Sequence, residues 1–524
     1  MKKIICIIIC MLLIATTFSV AESLKNNKIN ATFSSLSLNK SIEDWTEIQK
    51  LLASDGTIQD MFGNSVSIDG DTALIGAPGK EDNEGAAYIF KWNGDNWIQQ
   101  QKLTSSKDDI GNVFGYCVSL DGNFAFISAY GNESVYVFKY NGFSWTQQQR
   151  LVASDGESGD WFGISVSLCG NYAIIGSQLD EDGTGSAYIF KWNGYNWIQQ
   201  QKLMASDGQP YDQFGYSVSI NGNFAFVGAP HINSVYVFKL VGTTWIQEAK
   251  IVNPDTGEDD DFGCSVFIGE QYGAIGAYGD DGNKGSVYVF SLDPILSDWQ
   301  KLTASDGEID DYFGCSLSIN GDYIIIGAFG GDDDGEYSGS AYIFKNDGTN
   351  WFEEKKLIAS DGDIGGMFGY SVSINGGKAL IGAVGDDYGK GSAYVFLGSI
   401  PQNPPSPPEI YGATNGKPDT AYPYTFISTD PDGDYVSYYI EWGDGENTSW
   451  TEFRPSGSPG YIESHSWDTK GEYVIQAQAK DVYGHMSDWS KFVVKIPRTY
   501  TPLILKYLER FLNTFPLLSH LFRL

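Results

Sequence analysis

The pair Phe-Gly recurs seven times in this chain, at Phe62, Phe114, Phe162, Phe214, Phe262, Phe313 and Phe368. Successive copies are 52, 48, 52, 48, 51 and 55 residues apart. A period of about 50 residues is too long for most helical solenoids and suits one four-stranded sheet per repeat. The third copy, Leu151–Leu203, shows why. Its runs Phe162–Leu168, Tyr172–Ser177, Ser186–Trp192 and Asn196–Leu203 alternate apolar with small or polar residues, which is the strand period. Short turns such as Asp69-Gly70, Asp121-Gly122, Asn221-Gly222, Asn320-Gly321 and Asn375-Gly376 join the first two runs of most copies. Asn-Gly and Asp-Gly tolerate positive φ at both central positions, so each repeat is predicted to be an antiparallel meander opened by a hairpin. Gly after Phe predicts a close backbone approach, with Phe filling the space between sheets.

Counting decides between an open array and a ring. The signature of the fourth run, Trp followed by Gln, Lys and Leu, occurs at Trp45, Trp97, Trp145, Trp197, Trp245, Trp299 and Trp351. It therefore begins one strand before the first Phe-Gly, and the last repeat stops after its third run, at Gly391–Ser399. An N-terminal strand that completes the last blade explains both ends and leaves no terminal interface exposed. A solenoid would need polar capping repeats, and none is present. The prediction is an all-β chain with a seven-bladed β-propeller over residues 41–399, closed by its N-terminal strand.

These residues carry a family likeness. The recurring Ala-Ser-Asp-Gly, Phe-Gly, Ser-Val-Ser, Ile-Gly-Ala and Gly-Ser-Ala-Tyr-Ile-Phe elements resemble the FG-GAP repeat of secreted bacterial and archaeal proteins, and more distantly the propeller of integrin α chains. The resemblance implies an extracellular propeller. Integrin-type repeats carry an Asp-rich calcium loop between Phe-Gly and Gly-Ala-Pro. Here that space holds a two-residue turn, so those calcium ligands are not carried over.

In a meander, alternate connections share one end of the sheet. The tight turns thus mark one face of the ring, and the loops after Gly-Ala and between blades mark the other. Acidic residues concentrate on that loop face, among them Glu81, Asp82, Asp180, Glu181, Asp280, Asp386, Asp55, Asp60, Asp155 and Asp207. Two readings stand: turn aspartates accepting backbone N–H bonds on a solubilising surface, or a face for cations or a basic partner. Asp332, Asp333 and Asp334 form the densest cluster and are a candidate calcium site, although consecutive carboxylates point different ways in an extended loop. Cys264 and Cys315 occupy the same place in adjacent blades; either they form a disulfide or they are small buried thiols.

The ends define the remaining segments. Residues 1–21 read as a secretory signal peptide, with a basic start, a short apolar core and a small-x-small site at Ser19-Val20-Ala21. Residues 22–40 form a linker, and the Pro-rich stretch 400–408 a second, stiffer one. Residues 409–497 again alternate as strands; Trp442-Gly443-Asp444-Gly445, His465-Ser466-Trp467 and Asp481-Val482-Tyr483-Gly484 resemble a PKD-type, immunoglobulin-like sandwich, which implies an extracellular spacer or contact module. Asp430, Asp432 and Asp434 alternate around a Gly turn and are the other candidate calcium ligands. Residues 498–524 read as an amphipathic helical tail whose Lys506, Glu509, Arg510 and Pro516 prevent it from spanning a bilayer; it is a candidate for peripheral membrane or partner contact. Sequons at Asn30, Asn132 and Asn447 permit glycosylation.

Net charge is −33, with 66 acidic against 33 basic residues, which argues against nucleic acid and against adhesion to an anionic membrane. Only four His exist, at 231, 465, 485 and 520, too scattered for a zinc site or a triad. No nucleophile elbow or phosphate loop is present. The expected function is that of a monomeric secreted or cell-surface binding protein, not an enzyme, meeting a protein or glycan through the loop face. The alternatives are a structural envelope spacer and a propeller-based polysaccharide lyase or hydrolase.

Overall fold

The structure, a computed structural model, describes residues 45–496 apart from 107–110, 256–259, 293–294, 399–402, 432–434, 449, 452, 455, 458–459 and 482–484. The signal-peptide segment, the first linker and the C-terminal tail therefore lie outside the described residues, as do Asn30, Asp432 and Asp434.

Seven four-stranded antiparallel sheets follow one another along the chain, and two three-stranded sheets follow them. Blade 3 consists of Phe162–Cys169, Tyr172–Ser177, Ser186–Trp192 and Trp197–Leu203, hydrogen-bonded in that order. Blade 7 pairs Phe368–Asn375, Lys378–Ala383 and Ser392–Leu397 with Thr46–Leu51, the first strand of the chain. The outermost strand of the last blade is thus the one that the repeat count displaced to the N-terminus.

Ring closure is visible in the packing. Seven apolar clusters each sit between two neighbouring blades, and one of them joins Leu380, Ala393 and Val395 of blade 7 to Phe62, Ile75 and Tyr88 of blade 1. The repeated Phe is the centre of each cluster. Phe114 is fully buried and meets Tyr136 and Phe138 edge-on, with ring centroids 5.5 and 6.2 Å apart. Truncating such a ring to Ala typically costs about 3–5 kcal/mol. The Gly beside it is required: a Cβ on Gly115 would stand 2.2 Å from the Ala86 carbonyl, at a φ of 93°.

Polar side chains repeat between the blades. Serines of the inner strands accept backbone N–H bonds from the next blade, as Ser119 does from Leu168 (3.0 Å) and Ser373 from Ile68 (3.1 Å) across the closure. On the rim, a Gln amide clamps the backbone of the next Trp: Gln149 donates to the Trp197 carbonyl and accepts its N–H, at 2.8 and 2.9 Å.

Two features differ from the sequence expectation or explain it. In the hairpins Asp69 pairs with Thr72 and Asn221 with Phe224, so the two-residue loops are Gly-Asp and Gly-Asn, not Asp-Gly and Asn-Gly. In these loops only Gly70 and Gly222 take positive φ, 54° and 56°, which is the Gly-first hairpin pattern. The shift frees the preceding Asp or Asn side chain to reach the neighbouring turn. The alternating period has its source in the loop between the second and third strands: residues 78–85 and 178–185 in blades 1 and 3, but only 130–133 and 230–233 in blades 2 and 4.

The C-terminal domain packs the sheets Glu409–Gly412, Tyr422–Ile427, Tyr461–His465 and Val436–Glu441, Gly471–Asp481, Ser490–Ile496 face to face. Tyr424, Phe426, Trp442, Trp467 and Ile475 fill the space between them. Among the described residues it is an all-β sandwich.

Candidate functional site: two faces of the propeller

On the loop face most of the carboxylates are occupied by the protein itself. In six blades the Lys near the end of the outermost strand reaches into the loops. Lys202 lies 2.9 Å from Asp155, 2.7 Å from Asp180 and 3.1 Å from Glu181, and Asp180 also accepts the phenol of Tyr188 at 2.9 Å. Lys102 holds Asp55 and Glu81, Lys301 holds Asp255 and Asp280, and Lys50 holds Asp361 and Asp386. Lys356 bridges Asp306 and Asp333, and Lys250 holds Asp207. The Lys250 ammonium and the Tyr236 phenol keep the Asp207 carboxyl below the ordinary range, as Lys301 and Tyr288 do for Asp255. Burial opposes the same effect at Asp155, Asp306 and Asp361, and the Lys bonds prevail. Blade 2 departs from its siblings, because Arg150 donates to the Asn132 carbonyl at 3.0 Å instead.

A second set of aspartates holds loop backbone. Asp60, Asp160, Asp212 and Asp311 each accept the N–H three residues earlier, at 2.6–2.7 Å. Asp60 also pairs with Lys80 at 2.8 Å, and both side chains are buried. The structural reading of the loop aspartates therefore describes most of this acid.

Asp332, Asp333 and Asp334 turn to different partners. Asp332 accepts the Tyr337 N–H at 2.8 Å, Asp333 is taken by Lys356 and by Ser340 at 2.6 Å each, and Asp334 is exposed. Asp430 is buried in the second domain, while Asp432 and Asp434 lie outside the described residues. Among the described residues no three His, Cys, Asp or Glu side chains are grouped to hold a metal ion. Cys264 and Cys315 are free thiols pointing at the carbonyls of Gly314 and Gly369, and burial pushes them up to about 12 and about 11. The Asn132 amide turns inward to the Tyr136 phenol at 3.2 Å, whereas Asn447 is exposed.

With its acid turned inward, the loop face presents apolar side chains to solvent. Ile58, Tyr211, Ile309, Ile364 and Tyr388 are 66–88% exposed. Trp161 and Met61, each just before a Phe-Gly pair, are partly exposed beside them, with φ of 59°. Val113, Gln213, Asp261, Tyr312 and Met367 share that left-handed conformation. Since the strain recurs in all seven copies, it belongs to the entry into the inner strand and not to one special blade.

The turn face is the opposite case. The Asp69 side chain accepts the Gly122 N–H at 2.7 Å, and Asp121 accepts the Gly170 N–H, linking the turns of blades 1, 2 and 3. Among the described residues no Lys forms an ion pair with either carboxylate, and Lys91 acts on Asp69 only through its charge at a distance. The phenol of Tyr435, at the edge of the second domain, stands 3.4 Å from both. Burial raises Asp69 to about 6, helped by the charge of Asp121, and burial also raises Asp121. Around this contact lies a cavity of about 580 Å³ between the two domains, into which Lys91, Asn171 and Arg454 also face. Tyr435 carries no signal in the sequence, because it is a single-copy residue outside the repeats.

Comparison with known proteins agrees with the fold. The FG-GAP repeat model matches residues 45–90, 97–138, 145–190, 197–238, 245–290, 296–344 and 351–396. A search among curated proteins returned no match. The chain is similar to the PKD domain of an M14-like peptidase from a Thermoplasmatales archaeon, at 46% identity over 18% of this chain and 99% of that one, with a TM-score of 0.18. It is also similar to the WD40 domain of Toxoplasma gondii coronin, at 7% identity over 68% of this chain and 86% of that one, with a TM-score of 0.41. Porphyromonas gingivalis dipeptidyl peptidase 4 shares 10% identity over 71% of this chain and 57% of its own, with a TM-score of 0.33. Seven family matches that together span more than half of the sequence identify the chain as a member of the FG-GAP repeat family.

Proposed function

We propose that this propeller is an extracellular binding module that engages a protein ligand through its loop face. The observation that carries this reading is the inversion of that face: most of its carboxylates are tied to lysines and backbone, while Ile58, Tyr211, Ile309, Ile364 and Tyr388 stand out into solvent. Exposed apolar side chains gathered on one face of a water-soluble fold mark an interaction surface. The FG-GAP matches and the basic, apolar start of the sequence support export, with attachment at or near the cell surface. No helix among the described residues is long and apolar enough to cross a membrane. The second domain is read as a PKD-like spacer that holds the propeller away from its point of attachment.

Binding, not catalysis, fits a face most of whose carboxylates are already bonded to lysines or backbone, because general acid–base chemistry needs convergent groups free to exchange protons. The same occupancy supports binding without calcium. The test is a pull-down of extracellular proteins and a glycan array with the full chain, with and without calcium, beside the triple variant Ile58→Glu, Ile309→Glu, Ile364→Glu. The expected result is a protein ligand retained by the parent, independently of calcium, and lost by a variant of unchanged melting temperature. A parent that retains nothing turns the assignment to a structural spacer.

A further inference from the structure

The turn face and the second domain meet through an arrangement one proton short of complete. Two carboxylates, Asp69 and Asp121, flank a single phenol, Tyr435, whose oxygen is 3.4 Å from each. A phenol carries one O–H and donates to one acceptor at a time. With both carboxylates ionised, one of them faces the lone pairs of the phenol oxygen and the charge of its neighbour. The charge of Lys91 offsets that of Asp69 only in part, and among the described residues no cation is paired with either carboxylate. Lys91 is bound to the Thr72 hydroxyl at 3.1 Å, Asp71 is paired with Lys378 at 3.1 Å, and the Arg454 guanidinium stacks 4.4 Å over the Tyr461 ring. Tyr140, on the cavity wall, donates to the Gly142 carbonyl.

We propose that this contact is a proton-controlled latch: uptake of one proton by the Asp69–Asp121 pair closes the second domain onto the turn face, and loss of that proton releases it. The added hydrogen completes a chain in which one carboxyl donates to the phenol oxygen and the phenol donates to the other carboxylate. The N–H bonds from Gly122 and Gly170 persist in either state, because a protonated carboxyl still accepts through its carbonyl oxygen. Gly398 donates its N–H to Gly377 in the propeller and Ser406 donates its N–H to Thr429 in the sandwich, so each side of the contact is tied to its own domain.

The sign follows from the direction of the shift. Asp69 is raised by burial to about 6 when the domains are docked, so docking is favoured fully below the solvent value near pH 4 and weakens as pH rises through 6. One carboxyl moving from about 4 to about 6 changes the docking equilibrium about tenfold between pH 7.5 and pH 5.

Small-angle scattering of the full chain across pH 4.5–8 tests the latch. The compact fraction should rise about tenfold relative to the extended fraction between pH 7.5 and pH 5, with the rise setting in near pH 6. The Asp69→Asn, Asp121→Asn variant carries neutral side chains at every pH and should stay compact throughout. Tyr435→Phe lacks the bridging oxygen and should lose the response while keeping the melting temperature of its propeller. A parent whose scattering is the same at both ends of the range overturns the proposal. So does a pH response that survives in either variant.

Discussion

The two faces of the propeller use the same residue in opposite ways. On the loop face Asp155, Asp207, Asp255, Asp306 and Asp361 are partly exposed and each is bonded to a Lys, so folding lowers their proton affinity. On the turn face Asp69 and Asp121 hold backbone N–H groups without a cation, and burial raises their proton affinity. The difference shows that the number of carboxylates on a surface does not fix its electrostatic character. What matters is whether each charge has been given a partner by the fold. The face richer in acid is the one on which most carboxylates have partners.

Removing the cation from the most buried pair should have the largest effect. Lys80→Ala leaves Asp60 buried without its ammonium partner and should cost about 3–5 kcal/mol, read by chemical denaturation. Lys202→Met, which strips the partly exposed cluster of Asp155, Asp180 and Glu181, should cost about 1–2 kcal/mol after allowance for solvent screening. On the other face Asp69→Asn should be neutral or stabilising by up to about 1 kcal/mol at pH 7.5, because it removes an ionised buried group while keeping an acceptor for Gly122. A loss of stability comparable to that of Lys202→Met would erase the contrast between the faces.

Calorimetry against pH separates the faces by sign. The loop-face carboxylates have lowered folded values, so their contribution is present above about pH 4 and is lost as pH falls further. Asp69 has a raised value, so its contribution is complete below about pH 4 and is lost as pH rises through 6. The melting temperature should therefore rise modestly from pH 7.5 to about 5 and fall below 4, and Asp69→Asn should remove the rise and keep the fall. Added salt should have the smallest effect, under about 1 kcal/mol, confined to the exposed Lys pairs.

Much of the propeller is legible in the sequence because the chain carries its own alignment. The seven Phe-Gly pairs reveal the blades, and the displaced Trp45 signature reveals that Thr46–Leu51 completes blade 7. The Lys belt is equally periodic, yet its role is hidden. Lys202 meets Asp155 and Asp180 only once the meander brings the end of the outermost strand back beside two loops. The register of the hairpins is hidden for a smaller reason: Asp-Gly turns read alike whether the Asp is inside the loop or just before it, and the neighbouring blade decides. The turn-face contact has no periodic trace, since it joins Asp69 to a residue of another domain.

The alternation of loop lengths has a geometric consequence. Loops 130–133 and 230–233 are short, while 78–85, 178–185, 278–285, 329–339 and 384–391 are longer. A strict long–short alternation cannot be carried around an odd-membered ring, so parity must fail somewhere, and it fails from blade 5 through blade 1, where four long loops run side by side. The near sevenfold rotational symmetry of the strands is thereby reduced to none at the level of the loops. The loop face is a continuous parapet on one side of the axis and a notched one on the other, so every azimuth around it is distinct.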